Sequence, residues 1–308
     1  MRSDAPVVAG VDGSPSSLAA ARHAAELAVR RRAPLECLCA YQIPVYGYPP
    51  MGGVDPAILA DEQIREGVER MLAGIEQDLR QAYPELRRVT VRELPGGPAM
   101  ALIDRSQEAL ATVVGCRGKG GFAELLLGSV SAQVAAHAHG PVIVVRPPVP
   151  DEDTPTRSGL PLGPQVPLGP VLVGVDGSPE SAAALAYAAE EAQSREVPLD
   201  VIHAYWTPLH PVTRDPEHEG VMEARQVLDH AVAPIRERWP QVQMDIRAVH
   251  TNGVEQTMIE ASKDVGLTVI GCRGRGGFTG ALLGSISRAL VHHAHSPVAV
   301  IHRHDLER

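Results

Sequence analysis

Residues Val7 to Ala28 read VVAGVDGSPSSLAAARHAAELA: a short run of branched apolar residues, a turn written Asp-Gly-Ser-Pro, then an alanine-rich stretch. A brief apolar run that stops at a turn signal reads as a buried strand. Ser-Pro ahead of the alanines is a helix start, because serine suits the cap and proline the first helical position. Strand, turn and helix in that order open a βαβ unit. The same wording returns at Val171 to Ala192 as VLVGVDGSPESAAALAYAAEEA.

A second phrase is also written twice. GCRGKGGFAELLLGSVS occupies Gly115 to Ser131, and GCRGRGGFTGALLGSIS occupies Gly271 to Ser287. The interval between the two phrases is shorter in the second copy, and the loss falls around YGYPPMGGVDP, a Gly/Pro-rich loop where length varies freely. Between the copies lies RPPVPDEDTPTRSGLPLGPQVPLGP, Arg146 to Pro170, proline-rich and without hydrophobic period, which reads as a semi-extended linker. A repeat this long is a duplicated domain and not a solenoid unit. The expected division is a first domain over 1–146, a linker over 147–169 and a second domain over 170–308.

Each copy alternates short apolar runs with helical patterns. In the first these are VVAGV, LECLCAY, VTVREL, ATVVGC and PVIVV, with helices expected after Ser14-Pro15, from Asp55 to Tyr83, from Pro98 to Leu110 and from Ser129 to His139. Ile64, Val68, Met71, Leu72, Ile75 and Leu79 mark an apolar stripe on the long helix, and Val221, Leu228, Val232, Ile235 and Trp239 its counterpart, with Pro234 expected to kink it. Strands apolar on both faces and separated by helices imply a parallel sheet covered on each side. The fold expected is α/β: two doubly wound, five-stranded, Rossmann-like domains in tandem. Ligands of such sheets lie at the carboxyl ends of the strands, where the winding reverses. Asp12 ends the first strand and Gly115 the fourth.

At 308 residues the chain is about twice the length expected of one domain. A formal charge of −9 opposes a general nucleic-acid or anionic-membrane binder, so neither partner is expected. No run approaches the ~18 apolar residues of a membrane span, and MRSDAPVVAG lacks the plan of a signal peptide, which reads as cytoplasmic. Cys37, Cys39, Cys116 and Cys272 form neither a CxxC pair nor a secreted disulfide spacing.

Glycine lets backbone N–H groups approach a ligand closely. Ser129 and Ser285 open helices directly after Gly128 and Gly284, so the free N–H groups of Ser129, Val130 and Ser131, and of Ser285, Ile286 and Ser287, face whatever lies ahead. An anion belongs there, most economically a phosphate. Arg117 and Lys119, echoed by Arg273 and Arg275, add positive charge. Alternatively, the glycines only shape a tight strand-to-helix connection. Asp12 and Asp176 likewise have two readings: an aspartate bonding its own turn, or one that receives an adenine or ribose or helps hold Mg²⁺.

With VDGSP after the first strand, Gly-x2-Gly-x9-Gly-Ser intact in both copies, and PVIVV and PVAVI as last strands, the chain resembles a tandem universal stress protein over residues 6–146 and 170–302. That glycine spacing marks the ATP-binding members of the family. The resemblance implies that Asp12 and Asp176 border adenosine and that the backbone of Ala40 and Ala204 contacts adenine. It places Gly115 and Gly271 near the ribose. Gly118, Gly128, Ser129, Val130 and Ser131, and their twins Gly274, Gly284, Ser285, Ile286 and Ser287, cradle the phosphates. It further implies a homodimer or an internal pseudo-dimer through fifth-strand edges, which also relieves an unpaired apolar edge. Cys116 and Cys272 depart from the serine common at that position, and read as small buried residues.

The histidines of AHAHGP and HHAHSP read as helix-end residues favoured by the dipole, so no protein-only metal site is expected. No P-loop, nucleophile elbow or acid–base pair is present, so the reading is a non-enzymatic, nucleotide-responsive stress regulator, with at most weak ATP hydrolysis. Two alternatives are an ATP pyrophosphatase-type adenylating enzyme, from whose Ser-Gly-Gly-x-Asp-Ser pattern VDGSPSS departs, and an interaction module that binds no nucleotide.

Overall fold

The computed structural model describes residues 4–41, 56–118, 127–147, 169–206, 216–275 and 282–302. Contacts divide them into two compact units, the first running to Val134 and the second comprising Ala135–Arg146 and the second repeat.

In the first unit β1 (Val7–Gly10), α1 (Pro15–Arg31), β2 (Leu35–Tyr41), α2 (Pro56–Ala82), β3 (Val89–Pro95), α3 (Pro98–Ser106) and β4 (Ala111–Gly115) follow in chain order. The strands lie in the order β3-β2-β1-β4, all parallel, with Val7 opposite Leu35 and Ala111. After α4 (Ser129–His137) and β5 (Val142–Val145), the second repeat supplies β6 (Val171–Gly174), α5 (Pro179–Arg195), β7 (Leu199–Tyr205), α6 (Pro216–Arg238), β8 (Met244–His250), α7 (Val254–Ala261), β9 (Leu267–Gly271), α8 (Ser285–His293) and β10 (Val298–Ile301). Its strand order is β10-β9-β6-β7-β8, again parallel. β5 lies beside β10 and runs antiparallel to it, with Val144, Ile143 and Val142 facing Val298, Ala299 and Val300. All four residues of each of these strands are buried, which closes an apolar edge.

Two glycines per unit show how the helices sort to opposite faces. Gly10 pairs with Val114 in register, and a Cβ on Gly10 would lie 2.8 Å from Leu102 of α3. Gly115, one residue further and so on the other face, would place a Cβ 2.5 Å from the backbone of Ser16 in α1. The second unit repeats this with Gly174 against Met258 of α7 and Gly271 against Glu180 of α5. Small residues continue the close approach along α1, where Ala20, Ala21, Ala24, Ala25 and Ala28 are wholly buried.

The helix boundaries follow from local chemistry. Ser14 and Ser178 cap α1 and α5, each accepting the N–H of the residue three further on, and a proline takes the first turn. Both helices end on a non-glycine left-handed residue, Arg32 at φ 51° and Glu196 at φ 57°. The long-helix stripe is buried from Leu72 through Ile75 and Leu79, and from Leu228 through Val232, Ile235 and Trp239. Ile64, Val68, Met71 and Val221 are only half-buried. Pro234 lies inside α6. α3 stops at Ser106, short of the Leu110 expected, because the Ser106 hydroxyl turns back to donate to the Ile103 carbonyl at 2.5 Å.

Candidate functional site

The winding reverses between β1 and β4, and between β6 and β9, and the repeated motifs meet there. In the first unit the N–H of Ser14 donates to Asp12 Oδ1 at 2.9 Å, and the N–H of Asp12 donates to Ser17 Oγ at 3.2 Å. The Ser14 hydroxyl reaches the carbonyl of Arg117 at 3.3 Å, tying the first turn to the glycine-rich loop. Gly13, at φ 75°, supplies the left-handed step of this turn.

Gly118 stands directly against the carboxylate, since a Cβ there would lie 2.5 Å from Asp12 Oδ2. Gly274 repeats the contact at 2.4 Å from Asp176 Oδ2. The middle glycine of the motif therefore makes room for the aspartate of the other loop. The first glycine, Gly115 or Gly271, makes room for the start of α1 or α5. The third differs: among the described residues, a Cβ on Gly128 or Gly284 would find only ordinary contacts of 3.4 Å and 3.5 Å or more. Gly284 has unexceptional angles, φ −66° and ψ 164°. Its N–H donates to Cys272 O at 2.8 Å, as that of Gly128 does to Cys116 O at 2.7 Å.

The first helical bonds beyond these glycines come from Ala132 to Gly128 O and from Arg288 to Gly284 O. Ahead of them the N–H groups of Ser129, Val130 and Ser131, and of Ser285, Ile286 and Ser287, precede the hydrogen-bonded ladder. α8 has no side-chain cap. The Ser131 and Ser287 hydroxyls are turned inward, donating to Gly115 O at 2.9 Å and Gly271 O at 2.7 Å, so each residue is buried and offers the helix mouth its backbone. Ser129 and Ser285 are exposed at that mouth.

Asp176 is held more fully. Ser178 donates both its N–H, at 2.9 Å, and its hydroxyl, at 2.5 Å, to Oδ1, while Arg275 N–H donates to Oδ2 at 2.8 Å. Burial alone would raise its pKa, but the bonds from Ser178, Arg275 and Ser181 outweigh it and hold the carboxyl below the usual range. A depressed folded pKa contributes stability that is complete above the unfolded value and is lost as pH falls through the folded one. The second unit should therefore lose stability as pH drops from about 5 toward 2, and Asp176→Asn should flatten that slope in urea titrations across the range. An unchanged slope would remove Asp176 from the account.

Arg117 and Arg273 are exposed beside the loops, and the Arg275 guanidinium lies over Gly177, whose Cβ would sit 2.5 Å from Nη2. Lys119 lies outside the described residues. Ala40 and Ala204 are half-buried near the carboxyl ends of β2 and β7. Beside Ala204, His203 Nδ1 contacts Val175 O at 2.6 Å, and its ring stacks with Tyr205 at 5.9 Å. Cys116 and Cys272 are buried, the former with Ser16 Oγ 3.3 Å from its sulfur. Burial pushes the Cys37 thiol up to about 12, assisted by Glu36 and Glu76.

In the sequence Asp-Gly-Ser-Pro reads as a turn and helix start, but that reading does not single out Ser17 and Ser181, which with Ser14 and Ser178 hold the two aspartates in place. Their signal was present, since Asp-x-Ser is an Asx turn and Ser-x-x-Ser a capping pair. At the far end of α8, Arg146 from the end of β5 donates to the carbonyls of Val291, at 2.9 Å, and His292. Burial, with His293, Arg146 and Arg288, lowers the pKa of His292. Among the described residues no group of three His, Cys, Asp or Glu side chains gathers to hold a metal ion, and no helix is long and apolar enough to cross a membrane.

A sheet wound in two directions, with an aspartate turn facing a glycine-rich loop at each reversal, defines tandem doubly wound α/β domains, the class whose ligands lie at such reversals. The model of the universal stress protein family matches residues 5–146 and 168–302, and the chain belongs to that family. It is 34% identical over 301 residues to universal stress protein Rv2623 of Mycobacterium tuberculosis, covering 96% of this chain and 95% of that one. It is 32% identical over 317 residues to universal stress protein Rv1996 of the same organism, covering 96% and 94%. The fold matches the crystal structure of a universal stress protein from Archaeoglobus fulgidus with a TM-score of 0.64 at 18% identity, over 98% of this chain and all of that one.

Proposed function

We propose that each repeat binds one ATP and that the chain acts as a non-enzymatic, nucleotide-responsive regulator. The observation that carries this is the third glycine of the motif. Among the described residues nothing crowds a Cβ at Gly128 or Gly284, and Gly284 leaves α8 without the serine or aspartate cap that would stabilise it. What a glycine gains there is open N–H groups at a helix start, facing the reversal of the sheet. α3 and α7 also begin after glycines, Gly97 and Gly253, but they follow the edge strands β3 and β8, away from the aspartates.

In this reading the triphosphate takes the N–H groups that open α4 and α8, with Arg117, Arg273 and Arg275 nearby. The aspartates, fixed by their serines, receive the ribose hydroxyls or the base. Ala40 and Ala204 offer backbone groups to adenine. Mg²⁺ would be held mainly by the phosphates and water, since Asp176 spends both oxygens on donors of the chain itself. Nucleotide occupancy then favours one conformation or assembly by differential affinity.

Equilibrium titration of the full chain with a slowly hydrolysed ATP analogue should give about two sites per chain. Absence of binding at about 1 mM or above rejects the proposal. Turnover of about 1 per second or faster would instead make the chain an enzyme.

A further inference from the structure

Beside the second repeat's motifs lies a cleft of about 460 Å³, between the start of α5 and the flank of α6. Its volume is within the range of about 300–1,000 Å³ typical of small-molecule pockets. Its polar lining comes from three separate segments: Arg275 from the glycine-rich loop, Ser178 at the α5 cap, and Glu223, Gln226 and His230 from α6, with Val227 and Ala231 as apolar floor. Arg275, Glu223 and His230 form no ion pair among the described residues. A cation and an anion thus border one cavity without neutralising each other.

The first repeat does not carry this set. Counted from the buried Leu72 and Leu228, the positions of Glu223 and His230 are held in α2 by Gly67 and Gly74, where a Cβ would meet nothing within 4 Å among the described residues. Glu223 and His230 are therefore features of the second repeat, whereas the cation Arg275 has a basic counterpart, Lys119, in the first.

We propose that this cleft binds a small zwitterion of the α-amino-acid type, Arg275 engaging its carboxylate and Glu223 its ammonium group. A simple anion meets the carboxylate of Glu223, and a simple amine meets the guanidinium. Only a ligand carrying both charges within one small molecule satisfies both walls. The apolar floor of Val227 and Ala231 takes an aliphatic side chain, and Gln226 and His230 complete the polar rim. The peptide N–H of Arg275 donates to Asp176 Oδ2, so this cleft adjoins the proposed nucleotide site and shares Arg275 with it.

The test uses the intact chain and three probes: L-valine, and its two halves isovalerate and isobutylamine. Valine should bind saturably, and neither half should bind at the same concentrations, up to about 20 mM by calorimetry or NMR shift mapping. Glu223→Gln should weaken valine about tenfold or more through loss of a charge-assisted bond, while ATP-analogue binding and the unfolding midpoint stay unchanged. No saturation by valine, equal binding of isovalerate, or an unaltered valine affinity in Glu223→Gln overturns the proposal. Because ATP titration is read separately, failure here leaves the nucleotide reading intact, and failure there leaves this one.

Discussion

Gly274→Val should reduce nucleotide binding from two equivalents per chain to one. A Cβ at this position would lie 2.4 Å from Asp176 Oδ2, closer than real contacts allow, and the obstacle is not the free end of a flexible chain. The carboxylate is pinned by the N–H and hydroxyl of Ser178, so the loop must move instead and with it the Arg275 N–H that reaches Oδ2 at 2.8 Å. Separating the aspartate turn from the glycine-rich loop splits the two halves of the site. The second site should weaken by about a hundredfold or more, equivalent to roughly 3 kcal/mol. A companion variant distinguishes lost binding from lost folding. A Cβ at Gly284 meets only ordinary contacts from 3.5 Å outward among the described residues, so Gly284→Val should keep the circular dichroism and urea midpoint of the parent while still blocking the helix mouth. If Gly284→Val binds two equivalents normally, the third glycine does not serve a phosphate.

Arg105→Ala should be the most damaging substitution in the first unit outside the motifs. Glu36, on β2, has a side chain only 5% exposed and is gripped by both Arg105 Nε, at 2.9 Å, and Nη2, at 3.1 Å. Arg92 lies further off at 3.8 Å and is largely exposed, so it cannot replace that grip. Removing the guanidinium strands a buried carboxylate, at a cost of about 3 kcal/mol, the lower part of the range for a broken buried pair because Arg105 is itself partly exposed. The double change Glu36→Leu with Arg105→Leu should recover most of that loss, since an apolar pair needs no partner. Urea unfolding of the full chain should show the shift in the first unit's transition and leave the second unit's in place. A loss below about 0.5 kcal/mol for Arg105→Ala would show that Glu36 is solvated by other means.

Much of the architecture was legible before any coordinates. β2 spans Leu35–Tyr41, the full run LECLCAY, because a short, mostly apolar run between turn signals reports a buried strand. α1 and α5 start where Ser-Pro predicts, since a cap and a proline act within one turn of chain. Elsewhere local pattern overreached. The stripe Ile64, Val68 and Met71 has helical spacing but only half-burial, because spacing describes a face and not whether a sheet reaches it. The helical pattern runs on to Leu110, yet α3 stops at Ser106, whose hydroxyl competes for a helix carbonyl.

The candidate site divides along the same line. Asp12, Asp176 and the glycines stand out in the chain because they are repeated and sit at strand ends, and those are properties of order along the sequence. That Gly118 exists to admit Asp12, and Gly115 to admit the backbone of Ser16, appears only once parallel register brings distant loops together. The inward turn of the Ser131 and Ser287 hydroxyls, the antiparallel match of β5 with β10, and the meeting of Arg275 and Glu223 around one cleft are of this second kind. Turn chemistry and hydrophobic period act over a few residues and are written in the chain itself. Which glycine faces which carboxylate depends on strand order and register across a sheet, and no short stretch of sequence encodes either.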